Sequence, residues 1–158
     1  MKKAIVALSV LFLSVAVIAQ NTNTTQAVQK KADDYVKFKE VRYDFGKIKQ
    51  SVPVTHDFVF TNVSNQPIII ESASPSCGCT TPVFPQAAID KGKTDKVTAG
   101  FNAGAAGPFN KTITVKLAGI DLPTVLTITG EVLTAEDYAK YEAAKKDAAS
   151  KPTKNGSR

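Results

Sequence analysis

Cys77 and Cys79 are the only cysteines in 158 residues, and one residue separates them in Pro75-Ser76-Cys77-Gly78-Cys79-Thr80-Thr81-Pro82. Sulfur at that spacing suits a local disulfide, thiol–disulfide exchange, or capture of a soft ion such as Cu(I) by two thiolates. A bridge needs Cα atoms roughly 4.4–6.8 Å apart, and two residues span at most about 7 Å. The chain must therefore bend at Gly78, and glycine permits this because it tolerates φ > 0. Closing so short a loop is worth only about 1.6 kcal/mol of chain entropy. Such a bridge fixes the shape of an exposed loop better than it staples a domain. Ser76, Gly78 and Thr80 are the residues that would support it. Against redox exchange, the spacing is one residue short of the usual redox pair and no βαβ pattern surrounds it. Against Cu(I), no Met or His lies near in sequence. An intermolecular bridge or free thiols is the remaining alternative.

Other chemistry-bearing residues are few. His56 is the sole histidine and falls on the Val54/Phe58 side of an alternating stretch, where a hydrogen-bonded, partly buried ring is expected. A Cys–His nucleophile pair would need His56 to reach Cys77 or Cys79 and a third residue to orient it. The adjacent carboxylates Asp33-Asp34 and Glu136-Asp137 sit in a polar leader and at a helix start, not as an acid/base pair. There is no phosphate loop, zinc spacing or nucleophile elbow. The expectation is no catalytic residue, no resident metal and no cofactor.

The chain's start bears on which sulfur chemistry is available. Lys2-Lys3, the apolar run Ala4 to Ile18 and the short residues Val17-Ile18-Ala19 read as a signal peptide over residues 1–19, cut after Ala19. The run is shorter than the roughly 20 residues of a spanning helix, so no membrane span is expected after cleavage. No cysteine follows the cut to carry a lipid. The expected location is periplasmic or secreted, and an oxidising compartment favours one disulfide. Formal charge is +6 for the whole chain, and removing Lys2 and Lys3 leaves +4. All cations but Arg42 and Arg158 are lysines and there is no Trp. Lysine lacks the planar fork that reads phosphate, so nucleic acid is not the expected partner.

The elements that must position the cysteine loop read as short strands. Residues 20–34 are Asn/Thr/Gln/Lys-rich and read as a flexible leader. Residues 35–133 alternate at period two with turn signals between. Val36 and Phe38, alternating with Lys37 and Lys39, lead into Val41-Arg42-Tyr43-Asp44-Phe45, and this first strand is expected to close in a turn at Gly46. Val54–Phe60 follows, then Ile68–Ser74, whose β-branched run predicts cover on both faces. Beyond the loop come Thr94–Phe101, with Val97, Ala99 and Phe101 in register, and Phe109–Leu117, with Ile113, Val115 and Leu117 inward. Thr124–Leu133 closes the set, with Leu126, Ile128 and Val132 on one face. The pattern predicts an all-β, immunoglobulin-like antiparallel β-sandwich, an open barrel being the other all-β option. Thr134 followed by two acids predicts a helix over residues 134–149, and residues 150–158 read as a disordered tail.

Asp44-Phe45-Gly46, Phe58-Val59-Phe60-Thr61-Asn62, Ser76-Cys77-Gly78-Cys79-Thr80, Gly107-Pro108-Phe109-Asn110-Lys111 and Ile128-Thr129-Gly130-Glu131-Val132 together resemble the exported bacterial family called domain of unknown function 1573. The resemblance runs from about Phe38 to Val132. It implies an immunoglobulin-like sandwich in a secreted protein, and no mechanism. Ser51, Lys91-Gly92 and Leu117-Ala118-Gly119 depart from the family at loop positions. The functional expectation is a non-enzymatic exported module of the bacterial envelope that binds or braces another protein or a glycan. The alternative is a thiol-redox or Cu(I)-handling protein using Cys77 and Cys79.

Overall fold

Period-two burial builds two sheets that share one core. The computed structural model describes residues 29–150. Its strands are β1 (Val36–Phe38), β2 (Arg42–Lys49), β3 (Val54–Asn62), β4 (Ile70–Pro75), β5 (Thr80–Val83), β6 (Thr94–Phe101), β7 (Gly107–Leu117) and β8 (Thr124–Leu133), followed by helix α1 (Ala135–Ser150). One sheet runs β1-β3-β6-β5 and the other β2-β8-β7-β4. Two separate four-stranded sheets make a sandwich and exclude the barrel. The pairings are antiparallel, as expected, except that β2 runs parallel to β8.

Phe58 and Phe60 of β3 and Val97 and Ala99 of β6 pack with Ile113, Val115 and Leu117 of β7 and Leu126 and Ile128 of β8. Each of these is at most 1% exposed. Burying each large apolar side chain contributes about 1.5–3 kcal/mol, so these rows hold the two sheets together. One polar side chain sits among them. Asn62 is fully buried, and its amide donates to the carbonyls of Gln66 and Ile89, both at 2.8 Å. Its Oδ1 accepts from the Ser64 N–H and hydroxyl. These bonds offset its desolvation and close the turn after β3.

The structure differs from the sequence reading at four places. First, Ile68 and Ile70 are buried but Ile69 is 45% exposed. The isoleucine run thus obeys simple alternation, because in a two-sheet sandwich one face of the chain meets the core and the other meets solvent. Second, Gly46 ends no strand. It lies inside β2 at φ +64°, where the register slips between Asp44 and Lys47, and its N–H donates to Asp44 Oδ1 at 2.9 Å. Asp-Phe-Gly is a β-bulge that lets β2 continue. Third, the folded part begins before Tyr35. Lys31 bridges to Leu122, residues Ala32–Asp34 form a 3-10 turn, and Ala32 is 1% exposed in the core. The last residues of the expected leader dock because Ala32 is small enough to fill a gap at the sandwich edge. Fourth, the expected first strand is two strands in different sheets, β1 and β2, because the chain crosses over at residues 39–41, and that crossing sets β2 parallel to β8. The expected signal peptide, most of the leader and nearly all of the tail lie outside the described residues.

Helix α1 begins as the sequence predicts. The Thr134 hydroxyl accepts from the Asp137 N–H at 3.2 Å and donates to Asp137 Oδ2 at 2.8 Å. The Lys47 ammonium sits 5.3 Å from the Tyr141 ring centroid, a cation–π contact that ties α1 to β2. Among the described residues no helix is long and apolar enough to cross a membrane.

Candidate functional site

The cysteine loop is a joint between the sheets. β4 is an edge of one sheet and β5 an edge of the other, so residues 76–79 carry the chain across one side of the sandwich. Main-chain bonds hold the crossing at both ends. On the β4 side, the Ser76 N–H donates to the Thr112 carbonyl at 2.9 Å and the Thr112 N–H donates to Ser76 Oγ at 3.0 Å. The serine hydroxyl takes the acceptor's place that a strand carbonyl would otherwise fill, which explains serine at the start of the motif. On the β5 side, the Asn102 N–H donates to the Cys79 carbonyl at 3.1 Å. Between them the Thr80 N–H reaches back to the Cys77 carbonyl at 3.3 Å, closing a four-residue turn.

Within this turn Cys77 and Cys79 are joined by a disulfide with Cα atoms 5.3 Å apart. Gly78 is exposed, has no positive φ, and a β-carbon on it would meet nothing within 4 Å. The bend thus comes from the whole turn, and the left-handed conformation expected at Gly78 is not used. Thr80 is 2% exposed, and its Oγ1 lies 3.7 Å from Cys77 Sγ and 4.0 Å from Cys79 Sγ. Disulfide sulfurs carry no hydrogen, so a hydrogen bond here is donated by the threonine hydroxyl, whose single proton goes to one sulfur or is shared between them. Ser76, Gly78 and Thr80 all adjoin the pair, each in a different role.

Cys79 packs against the core and lines a cavity of about 150 Å³ with Phe101, Asn102, Phe109, Lys111 and the small-residue segment 104–108. The rings of Phe101 and Phe109 stack there with centroids 4.2 Å apart. Reading the sequence did not bring Asn102, Thr112 and Lys111 to the cysteines. The available signal was the Gly-Pro-Phe-Asn-Lys segment, which folds onto the cavity beside the Ser-Cys-Gly-Cys-Thr loop.

The other candidates lie elsewhere. His56 is on β3, with β6 between it and β5. Its Nε2 is 3.0 Å from Glu40 Oε1, and its ring stacks on Tyr43 with centroids 3.6 Å apart. It is the bonded, part-buried histidine of the bland expectation. Asp33 accepts from the buried Thr124 hydroxyl, and Glu136 pairs with Lys140 at 2.7 Å; both are structural contacts. Beside His56, Asp57 has its carboxyl held below the ordinary range by hydrogen bonds from Lys96 and Thr98. Among the described residues no group of three or more His, Cys, Asp or Glu is placed to hold a metal.

The family model described as "Protein of unknown function (DUF1573)" matches residues 36–132. No curated protein matches. Among solved structures, a protein of unknown function from Porphyromonas gingivalis W83 aligns at 13% identity and TM-score 0.52, over 71% of this chain and 51% of that one. The chain thus spans about half the length of that protein. The ASH / PapD-like domain 7 of human CEP192 aligns at 12% identity and TM-score 0.54, over 79% of this chain and 99% of that domain. The secreted serine protease VesC of Vibrio cholerae aligns at 12% identity and TM-score 0.50, over 69% and 26%. At these identities the likeness is one of fold: an immunoglobulin-like, PapD-like sandwich.

Proposed function

The chain belongs to the DUF1573 family, and from that premise we propose that it is a non-enzymatic exported module of the bacterial envelope. In this reading it binds or braces another protein or a glycan, presenting the loop Ser76–Thr80 and the cavity beside it. One observation carries the reading: a disulfide-closed turn is pinned to both sheets by main-chain bonds, yet leaves Ser76 and Gly78 exposed. A surface pre-shaped in this way spends little ordering entropy when a partner docks. The sequence's basic n-region and apolar run support export, and export supports an intact disulfide.

A photo-crosslinking residue placed at Gly78 in the source cell tests the proposal. Substitution there meets no neighbouring atom. The expected result is a discrete adduct from position 78, absent when the same group replaces the exposed Val125 of β8 and lost when Cys77 and Cys79 become serine. A glycan array probed with the purified chain separates a glycan from a protein. No adduct at position 78 and no retained glycan would overturn the proposal. The alternative use of Cys77 and Cys79 in redox chemistry has one observation in its favour, the Thr80 hydroxyl oxygen within 4.0 Å of both sulfurs.

A further inference from the structure

We propose that the Cys77–Cys79 disulfide is an exchange site for cysteine thiols of other polypeptides, with Cys77 the sulfur attacked and Cys79 the sulfur released. This goes beyond the binding reading and stands without it, because small thiols suffice to test it. Four features of the site lead here.

The backbone does not depend on the bridge. Ser76 and Thr112, Cys79 and Asn102, and Cys77 and Thr80 are joined by main-chain or hydroxyl hydrogen bonds, none of which involves a sulfur. The ring closes over a sequence separation of two, so opening it frees little chain. The anchors at both ends of the loop therefore stay in place when the bridge opens, while residues 76–79 between them gain freedom, as a site that cycles requires.

The two sulfurs are not equivalent. Attack on a disulfide sulfur comes from the side opposite the bond being broken. Cys79 packs against the core and lines the cavity, so the core covers part of it. Cys77 lies between the exposed Ser76 and Gly78, and Gly78 offers no side chain to block approach. Both cysteines are part-exposed, and Cys77 is the one with an exposed residue on each side, whereas Cys79 adjoins the buried Thr80.

The leaving sulfur is provided for. As the bond breaks, Cys79 Sγ takes the electron pair and becomes a thiolate. The buried Thr80 hydroxyl lies 3.7 Å from Cys77 Sγ and 4.0 Å from Cys79 Sγ, so it can donate to the sulfur that becomes the thiolate, and hydrogen bonding to a charged form favours that form. Lys111 lines the same cavity, and a lysine beside a thiolate lowers its cost.

The balance is that of ordinary exchange. The incoming thiol loses its proton to solvent, and its sulfur bonds to Cys77 Sγ as the Cys77–Cys79 bond breaks. Cys79 then regains a proton from solvent. If the attacker carries a second thiol, that thiolate attacks the attacker's own sulfur in the mixed disulfide and Cys77 leaves. Two electrons and two protons then pass from the partner dithiol to the Cys77/Cys79 pair, and the partner gains a disulfide.

The native oxidised chain is mixed with reduced glutathione and quenched with N-ethylmaleimide, and the modified residues are mapped by mass spectrometry. Glutathione is expected on Cys77 and maleimide on Cys79, in at least about tenfold excess over the reverse pattern, a ratio equivalent to 1.4 kcal/mol of preference. Dithiothreitol should open the bridge without denaturant. Thr80→Val should slow opening about tenfold, the kinetic equivalent of one lost hydrogen bond to a charged group, while Thr80→Ser keeps the wild-type rate. If Thr80→Val does not fold, Lys111→Gln replaces it, and the same glutathione reaction should be slower than in wild type. Glutathione mainly on Cys79, a bridge that opens only in denaturant, or rates unchanged by these substitutions would each overturn the proposal.

Discussion

Phe109 stands over Gly130 so closely that a β-carbon on the glycine would lie 2.8 Å from the ring and 2.7 Å from the Gly46 carbonyl oxygen. The bulge in β2, the glycine in β8 and the aromatic of β7 are thus one contact seen from three strands. Gly130 also has φ +157°. Gly130→Ala should cost about 2–4 kcal/mol from overpacking and backbone strain, read as a drop in urea midpoint. Gly78→Ala, with open space around it, should move the midpoint by under about 0.5 kcal/mol. Equal effects at the two glycines would mean that Phe109 yields to the added methyl.

Phe58→Ala and Ile128→Ala should each cost about 2–5 kcal/mol, as deletions of fully buried side chains do. Both residues are 0% exposed. Denaturant melts shifted by less than about 0.5 kcal/mol would contradict the assigned inner faces.

Asn62→Ala should destabilise by about 1–3 kcal/mol because it leaves the Ser64 N–H without its acceptor and the Ile89 carbonyl with only the Ile68 N–H as donor. Amide exchange should quicken first across residues 63–67, ahead of global unfolding.

Serine at both Cys77 and Cys79 should leave a folded domain weakened by about 1.6 kcal/mol, the entropy of one very short closed loop. Thermal melts should stay cooperative while amides in residues 76–79 exchange faster. Loss of the whole fold would show that the bridge carries more than its loop.

Asp57 sets a test in acid. Its pKa lies below the ordinary 3.8 because Lys96 and Thr98 hydrogen-bond its carboxylate. A lowered folded-state pKa stabilises above the unfolded value, and that share drains away as pH falls through the folded value. Stability measured against pH below about 4 should fall less steeply in Asp57→Asn than in wild type, and added salt should shrink the difference.

The alternation of Phe58/Phe60, Val97/Ala99 and Ile113/Val115/Leu117 made the sandwich legible, because a half-buried strand writes its face into every second residue. The capped start of α1 was legible for the same kind of reason, a local bond between Thr134 and Asp137. Ile69 misled because β-branched residues suit an edge strand as well as a buried one. The bulge at Gly46 was hidden because a glycine after Asp reads equally as a turn. At the candidate site the sulfurs and their supporting residues stood together in sequence. Asn102, Thr112 and Lys111 reach them only through pairings across strands far apart in the chain, which no local pattern records.

The parallel β2–β8 pair has a mechanical consequence. Arg42 sits against Thr127 at one end and Lys49 against Leu133 at the other. A pull that draws the chain out before β2 and after β8 therefore drags the two strands lengthwise past each other. Their hydrogen bonds share the load and must slide together, whereas an antiparallel pair loaded at adjacent ends opens one bond at a time. Loaded in that direction, the β2–β8 pair resists in shear.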